Sequence, residues 1–301
     1  MTFCEKLKAE NNKHMSQQSE LDAQIWDVVI TSKKPLFHVP FRELWNYRDL
    51  FLLTIYRDFV ALHKQTVLGF LWYVIPPVIM AGVYTIVFGR IAQIKTDQIP
   101  PFLFFMSGIV LWTYFSACIS KTATTFTSNA SLFTKVYFPR LVLPISICVS
   151  NLWQFLVQLV IFSVFYVFFL WQGAPIQFSY RIIIVPFLIL QIALLGFGAG
   201  CWISALTTRF RDLQLAVAPA IQMLMYVSCI FFPRSTVPEN LQWLMTLNPL
   251  VSIIETFRFA VMGQGQVSVL NWLLSLAITL LVLVIGVVGF GRAEKTMADT
   301  I

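Results

Sequence analysis

Charged residues are scarce in this sequence. Asp, Glu, Lys and Arg make up 12% of the 301 residues, whereas hydrophobic residues make up 58%. Soluble domains carry about a quarter charged residues. A chain of this composition cannot cover itself with a surface compatible with water, because too few polar side chains are available. The composition excludes an ordinary soluble domain and predicts an all-α membrane protein.

The sequence also lacks the residue groups on which most catalytic and metal sites depend. It contains no Gly-x-x-x-x-Gly-Lys-Ser/Thr run, so it has no phosphate-binding loop for ATP. It contains no Cys-x-x-Cys pair and no Cys/His cluster that suggests a metal site. No Ser/His/Asp arrangement suggests hydrolysis. We therefore expect a chain without a metal or cofactor of its own.

Acidic residues are missing from the middle of the apolar segments. Between residues 59 and 293 the only ones are Asp97, Asp212, Glu239 and Glu255. Carriers driven by protons or sodium usually need such groups near the bilayer midplane. A transporter built on this chain would therefore take its energy from another subunit.

Long apolar runs predict six transmembrane helices. Each run reaches the roughly 20 residues that span a bilayer, and the runs are 67–89, 102–126, 143–170, 182–207, 213–233 and 268–291. The intervening segment 234–267 is apolar but interrupted by proline and glycine, and its two apolar pieces are too short to span. We interpret 234–267 as a re-entrant helical hairpin, and 67–291 as the transmembrane domain.

The distribution of Lys and Arg predicts the orientation. With both termini in the cytoplasm, 16 of the 21 Lys and Arg residues lie inside and 5 outside. Residues 1–40 are then a cytoplasmic leader without a signal peptide, and 292–301 are a cytoplasmic tail. The net charge of +7 follows from this bias and from attraction to anionic lipids, so no nucleic-acid partner is needed.

The stretch 41–66 precedes the first span and has a helical pattern. Leu50, Leu53 and Tyr56 fall near one face, and charged residues are spread around the other, namely Arg48, Arg57, Asp58 and Lys64. This pattern is typical of an amphipathic helix in the membrane interface. A soluble helix that packs on a cytoplasmic partner is the alternative.

A short aromatic segment lies between the second and third spans, at 132–140. It contains Phe133, Lys135, Val136, Tyr137, Phe138, Pro139 and Arg140. Pro139 predicts that a short helix ends at Phe138. An exposed aromatic group would be costly in the cytosol unless it docked into a partner. An ordinary loop against the bilayer is the alternative.

Polar and aromatic residues inside the spans form stripes. The first span carries Tyr73, Met80, Tyr84 and Phe88, the third carries Asn151, Gln154 and Gln158, and the fifth carries Gln222 and Tyr226. For the third span, hydrogen bonds between helices and the lining of a conduit both remain open. For the first and fifth, an aromatic conduit that stacks on sugars is favoured. Small residues spaced by four, Gly196, Gly200 and Ser204, indicate close helix packing.

In their order along the chain, these segments resemble type-2 ABC exporter permeases for polysaccharides, and within them the O-antigen exporters of lipopolysaccharide. The similar pieces are KQTVLGFLWYVIPP at 64–77, KVYFPRLVLP at 135–144, RFRDL at 209–213 and the hairpin around Asn248-Pro249. The resemblance implies a non-catalytic homodimeric permease in the bacterial inner membrane. Two copies of a separate ATPase subunit would bind ATP and Mg and drive export of an undecaprenyl-diphosphate-linked glycan.

The resemblance also implies roles for particular residues. The segment 132–140, hereafter the coupling segment, would dock on the ATPase, and Tyr73, Met80, Tyr84, Phe88, Gln222 and Tyr226 would line the conduit. The hairpin would form an extracytoplasmic gate with Trp243, Asn248, Pro249, Glu255 and Arg258. Other functions that the sequence allows are capsule or teichoic-acid export, drug or lipid export, and, more distantly, glycosyl or acyl transfer in the membrane.

Overall fold

The computed structural model describes residues 47–63, 69, 71–129, 138–176, 179–210, 212–265 and 267–298. Within these ranges the α-helices are, in chain order, α1 (Arg48–His63), α2 (Leu71–Tyr84), α3 (Pro101–Ala123), α4 (Thr125–Ser128), α5 (Val142–Trp171), α6 (Val185–Arg209), α7 (Leu213–Tyr226), α8 (Gln242–Leu247), α9 (Pro249–Met262) and α10 (Val269–Ala298). A π-helical segment, Thr85–Ile91, extends α2, and a 3-10 turn, Tyr180–Ile184, precedes α6. The predicted leader, residues 41–46 and 64–66 of the interface helix, and coupling residues 132–137 lie outside the described ranges.

The fold confirms the prediction of an all-α membrane protein. Among the described residues, five helical segments are long and apolar enough to cross a bilayer, namely Leu71–Ile91, Pro101–Ala123, Val142–Trp171, Tyr180–Arg209 and Val269–Glu294. A sixth candidate consists of the pair Glu239–Leu247 and Pro249–Met262, which is bent by 94° at Asn248. The re-entrant path of this pair remains a prediction, because length and composition also allow one broken span.

The fifth predicted span, 213–233, differs from the helix that the structure contains. Helix α7 ends at Tyr226 and has 14 residues, a length of roughly 21 Å at 1.5 Å per residue. Turns follow it, and Cys229 adopts a left-handed backbone conformation with φ 52°. An apolar run alone did not reveal this break. The turns after Tyr226 bring backbone carbonyl groups to a buried arginine, as described below.

Helix α3 forms the centre of the molecule. Most of its side chains are buried, and it packs against α2, α5 and α6. The core around it is rich in aromatic rings, such as Phe104, Phe105 and Phe115. Because α3 is enclosed on most sides, it provides the fixed framework against which the other helices are positioned.

Helix α6 is sandwiched between α3 and α10 through glycines on opposite faces. A Cβ atom at Gly200 would lie 2.6 Å from Cβ of Thr122 on α3, and one at Gly198 would lie 2.6 Å from Cα of Leu283 on α10. A Cβ atom at Gly286 on α10 would lie closer still to the carbonyl oxygen of Gly198. The predicted close packing at Gly196 and Gly200 is confirmed. The opposite face at Gly198 was not predicted, since glycines two positions apart point to different sides of a helix.

Helix α2 contains Pro76 and Pro77, whose missing N–H groups leave carbonyl groups without their usual helical partners. Pro77 is the residue that would otherwise donate to the carbonyl of Tyr73. Instead, Nε2 of Gln158 on α5 donates a hydrogen bond to this oxygen at 3.2 Å. For the third-span amides, the sequence left open hydrogen bonds between helices and the lining of a conduit. The contact of Gln158 supports a hydrogen bond between helices.

Candidate functional site

Helix α1, the described part of the predicted interface helix, packs on α5. Thr54 is buried, whereas Leu53 and Tyr56 are 63% and 68% exposed. The charged residues predicted for this helix are also at the surface: Arg57 donates two hydrogen bonds to Oδ1 of Asp58, at 2.9 and 3.1 Å, and Arg48 lies 3.9 Å from Asp49. Helix α1 thus presents apolar and charged side chains together, as a helix in the membrane interface does. Lys64 lies outside the described residues.

The described end of the coupling segment is buried against α1. Phe138 is 4% exposed and packs with Val142 and Leu143, and Leu50 and Phe51 of α1 cover this cluster. The sequence grouped Phe138 with exposed docking residues, whereas the structure uses its ring to attach the segment to α1. The physical reason is that a phenyl ring next to an apolar helix is more stable when buried.

Arg140 connects the same segment to the end of α10. Its Nη1 donates a hydrogen bond to the carbonyl of Glu294 at 3.2 Å. Pro139 lies between these two anchors, and its carbonyl accepts from the N–H of Val142 at 3.0 Å. Phe133, Lys135, Val136 and Tyr137 lie outside the described residues. Phe138 and Arg140 thus attach the described end of the segment to α1 and α10.

Two of the predicted conduit residues of α2 belong to one aromatic cluster with the chain after α7. Phe231 is at its centre, with ring centroids 4.9 Å from Tyr84, 5.0 Å from Phe88 and 5.4 Å from Tyr226. Tyr226 stacks on Phe231 at an interplanar angle of 22° and is 55% exposed. The first and fifth segments therefore meet through aromatic rings. That these rings line a conduit stays a prediction. Phe231 was not predicted, because it appeared to lie inside a continuous helix.

The other predicted conduit residues lie apart from this cluster. Tyr73 is buried near α5, and Met80 is 39% exposed without a described aromatic contact. Nε2 of Gln222 faces Sδ of Met225 in its own helix at 3.8 Å. The predicted stripe on the first span therefore does not form one site. Tyr73 and Tyr84 are eleven positions apart, which corresponds to roughly 16 Å along a helix.

Asn248 and Pro249 form the bend between α8 and α9. Oδ1 of Asn248 accepts from the N–H of Leu250 at 3.1 Å, which caps α9, and Pro249 occupies the first position of the helix. Nδ2 of Asn248 donates to the carbonyl of Val227 and to Ser228, both at 3.2 Å. Trp243 on α8 is 60% exposed. Asn248 therefore joins the predicted hairpin to the turns after α7.

Arg258 is buried in the joint where α9 meets α3 and the turns after α7, with 2% of its surface exposed. Its Nε donates to Oγ of Ser107 at 3.1 Å, and Nη1 donates to the carbonyl of Cys229 at 2.9 Å. Nη2 donates to the carbonyls of Phe104 and Ile230 at 3.2 and 3.3 Å. The guanidinium also lies 3.6 Å from the centroid of the Phe104 ring. Arg258 thus holds together α3, α9 and the turns after α7.

Glu255 supplies the opposite charge. Its Oε1 lies 3.7 Å from Nη1 of Arg258 and accepts from the backbone N–H of Arg234 at 3.2 Å. Glu255 also borders a polar cavity of about 580 Å³, lined in addition by Asp97, Arg234, Gln242 and Asn271. Glu255 and Arg258 were predicted as gate residues. In the structure Arg258 is enclosed by protein groups and connects three segments, whereas Glu255 contacts both Arg258 and the polar cavity.

Comparison with known proteins identifies the family to which this architecture belongs. Residues 49–262 match the family described as ABC-2 type transporter. The chain belongs to the ABC-2 type transporter family. This ABC-2 transporter chain is a multi-pass, non-catalytic permease subunit and not an enzyme.

Curated relatives of this ABC-2 transporter chain are export and transport proteins. It is 28% identical to an "O-antigen export system permease protein RfbA" from Klebsiella pneumoniae, over 70% of this chain and 79% of the relative. It is 28% identical to a protein of the same name from Myxococcus xanthus, over 72% and 82%. A "Polysialic acid transport protein KpsM" from Escherichia coli is 26% identical over 76% and 88%. The match covers most of each relative.

Proposed function

We propose that this chain is the permease subunit of an ATP-driven exporter that moves an undecaprenyl-diphosphate-linked polysaccharide, an O-antigen, across the bacterial inner membrane. Two copies would form the permease, with both termini in the cytoplasm and two copies of an ATPase subunit bound. ATP and Mg would bind to the ATPase alone, since the sequence has no phosphate-binding loop. The names of the O-antigen relatives support the substrate class.

The aromatic cluster of Tyr84, Phe88, Tyr226 and Phe231 is the structural observation that carries the proposal. Sugar rings offer C–H faces that pack on aromatic rings, while their hydroxyl groups remain hydrated. An aromatic surface therefore lets a glycan slide without binding tightly at one place. In the proposed dimer, the exposed ring of Tyr226 would face the conduit. The buried ring of Phe231 and the partly buried rings of Tyr84 and Phe88 would hold it in position.

Replacing Tyr226 by leucine is expected to reduce polysaccharide export several-fold, because the stacking surface is lost while most of the apolar area remains. Tyr226→Phe is expected to retain export. Tyr180→Leu is the matched control, since Tyr180 is 80% exposed and lies outside the cluster. Each of the three variants is expressed in a strain that lacks the native gene, and the amount of glycan at the cell surface is measured. Normal export by Tyr226→Leu would contradict the conduit proposal.

The coupling segment is the proposed entry point for energy from the ATPase. Tyr137→Asp is expected to uncouple the exporter, so that ATP hydrolysis continues while surface glycan falls to near background. A charged side chain would be costly to bury in an apolar groove of the partner. Phe138→Asp is expected to behave differently: Phe138 is already buried against α1, so this variant should lower the amount of folded permease.

These two variants separate docking from folding. ATPase activity in reconstituted vesicles, glycan export and the yield of folded permease are measured for both. If Tyr137→Asp exported glycan at the wild-type rate, the docking role of the coupling segment would be refuted.

Capsule export is the second candidate, and the match to the polysialic acid transport protein favours it. The two functions differ in the glycan that accumulates inside the cell when the gene is deleted. Accumulated lipid-linked O-antigen would support the first proposal, whereas accumulated capsular polymer would support the second. Unchanged glycan export in the deletion strain would contradict both.

A further inference from the structure

A cavity of about 800 Å³ opens between α1, α2, α3 and α5, close to the helix ends that the charge bias assigns to the cytoplasmic side. Its walls are mainly apolar, with Leu52, Ile55, Phe59, Trp153 and Leu156 among them. The volume lies within the range of sites that hold small ligands. The cavity is built within one chain and is separate from the aromatic cluster and from Arg258.

Hydrogen-bond donors are concentrated at one part of this cavity. Nζ of Lys121 on α3 donates to Oδ1 of Asn151 on α5 at 2.6 Å, and Asn151 is only 4% exposed. Because an ammonium group cannot accept a hydrogen bond, Oδ1 must face Lys121 and Nδ2 must be the remaining donor. Nδ2 of Asn151 is buried without a hydrogen-bond partner among the described residues, and so is the hydroxyl of Ser150 beside it.

Buried donors without partners are rare, because each costs free energy comparable to a lost hydrogen bond. Asn151 and Ser150 both line the cavity, as does Lys121. An ammonium, an amide and a hydroxyl together suit an anionic group that is rich in acceptor oxygens. A phosphate has this chemistry.

The cavity also contains one negative charge. Asp58 of α1 lines it, and both hydrogen bonds from Arg57 go to Oδ1 of Asp58. Oδ2 therefore remains as a further acceptor, which suits an ammonium group. A ligand with two phosphates and no ammonium group would leave this acceptor without a donor.

We propose that this cavity binds one phospholipid of the cytoplasmic leaflet whose headgroup carries both a phosphate and a primary amine. Lys121, Asn151 and Ser150 bind the phosphate, and Asp58 binds the amine. An acyl chain packs on the apolar wall that includes Phe59 and Trp153. The lipid bridges α1 to α3 and α5, and it thereby fixes the position of the interface helix. This inference does not depend on the identity of the exported molecule.

Native mass spectrometry of the purified full-length chain tests the proposal. Phosphatidylethanolamine, phosphatidylglycerol and undecaprenyl diphosphate are titrated separately. We expect phosphatidylethanolamine to bind about tenfold more tightly than the other two, which corresponds to about 1.4 kcal/mol. Asp58→Asn should remove this preference, and Lys121→Gln should weaken the binding of all three lipids.

Arg209→Gln is the matched control, because Arg209 is another cation at the predicted cytoplasmic side and does not line the cavity. It should bind lipids as the wild type does. Equal binding of the three lipids by the wild type, or tighter binding of undecaprenyl diphosphate, would overturn the proposal. If Lys121→Gln does not fold, Asp58→Asn decides the question: an unchanged headgroup preference in this partly exposed variant refutes the proposed site.

Discussion

Replacing Arg258 with methionine is expected to remove a large part of the stability of the permease. Methionine keeps an unbranched apolar side chain but provides no N–H donor, so the carbonyls of Cys229 and Ile230 lose their partner. Glu255 would remain as a buried charge without its cation. Breaking a buried ion pair by removing one partner costs about 3–5 kcal/mol. This loss is large against a typical stability of about 5–15 kcal/mol.

The measurement is the thermal unfolding of the purified protein in detergent, where we expect a fall in Tm of about 10 °C or more. Arg258→Met combined with Glu255→Gln should be less destabilised than Arg258→Met alone, because the unpaired carboxylate is gone. Ser107→Ala removes a single hydrogen bond to Arg258 and should cost only about 1 kcal/mol. A wild-type Tm for Arg258→Met would show that this joint does not support the fold.

Replacing Gly286 with alanine is expected to force α6 and α10 apart. The added Cβ would overlap the carbonyl of Gly198, which is backbone and cannot move as a side chain could. Inserting an extra carbon into a well-packed contact costs about 1–3 kcal/mol, and more where the neighbour cannot yield. The expected result is a clearly lower Tm and a lower yield of folded protein.

Gly291 on the same helix provides the matched control. A Cβ atom there would have no neighbour within 4 Å. Alanine is favoured over glycine in a helix by about 1 kcal/mol, so Gly291→Ala should leave the Tm unchanged or raise it. The same substitution five residues apart is thus expected to have opposite effects. Equal Tm values for the two variants would contradict the close approach of Gly286 to Gly198.

The candidate site was predicted only in part from the sequence. Tyr84 and Phe88 were assigned to one stripe, since aromatic residues at helical spacing share a face. The contact of both rings with the chain after Tyr226 came from the structure. Phe231 and Ser107 were missed, because their roles depend on the turns after Tyr226 and on the side of α3 that those turns approach. Asn248 was identified from its place before Pro249, and its cap on α9 agrees with the preference for Asn at that position.

The predicted gate and coupling residues were likewise understood only in part from the sequence. Arg258 was named as a gate residue only because the hairpin resembles that of the exporter family. The sequence could not show that three backbone carbonyl groups and one hydroxyl group surround the Arg258 guanidinium in the fold. Phe138 was recognised as an aromatic residue that needs to be buried. Its burial against Leu50 and Phe51, rather than against a partner, depends on the path of the chain between two helices.

The sequence by itself determined that this protein lies in a membrane, that it is helical and that it has no ATP-binding loop. Composition and the length of apolar runs are enough for the first two conclusions, since both depend on the transfer of single segments into lipid. The third follows directly from the absence of the Gly-x-x-x-x-Gly-Lys-Ser/Thr motif. The tertiary structure alone decided where α7 ends, which faces of α6 meet α3 and α10, and which groups enclose Arg258. These features arise from contacts between residues far apart in the chain, which no local pattern specifies.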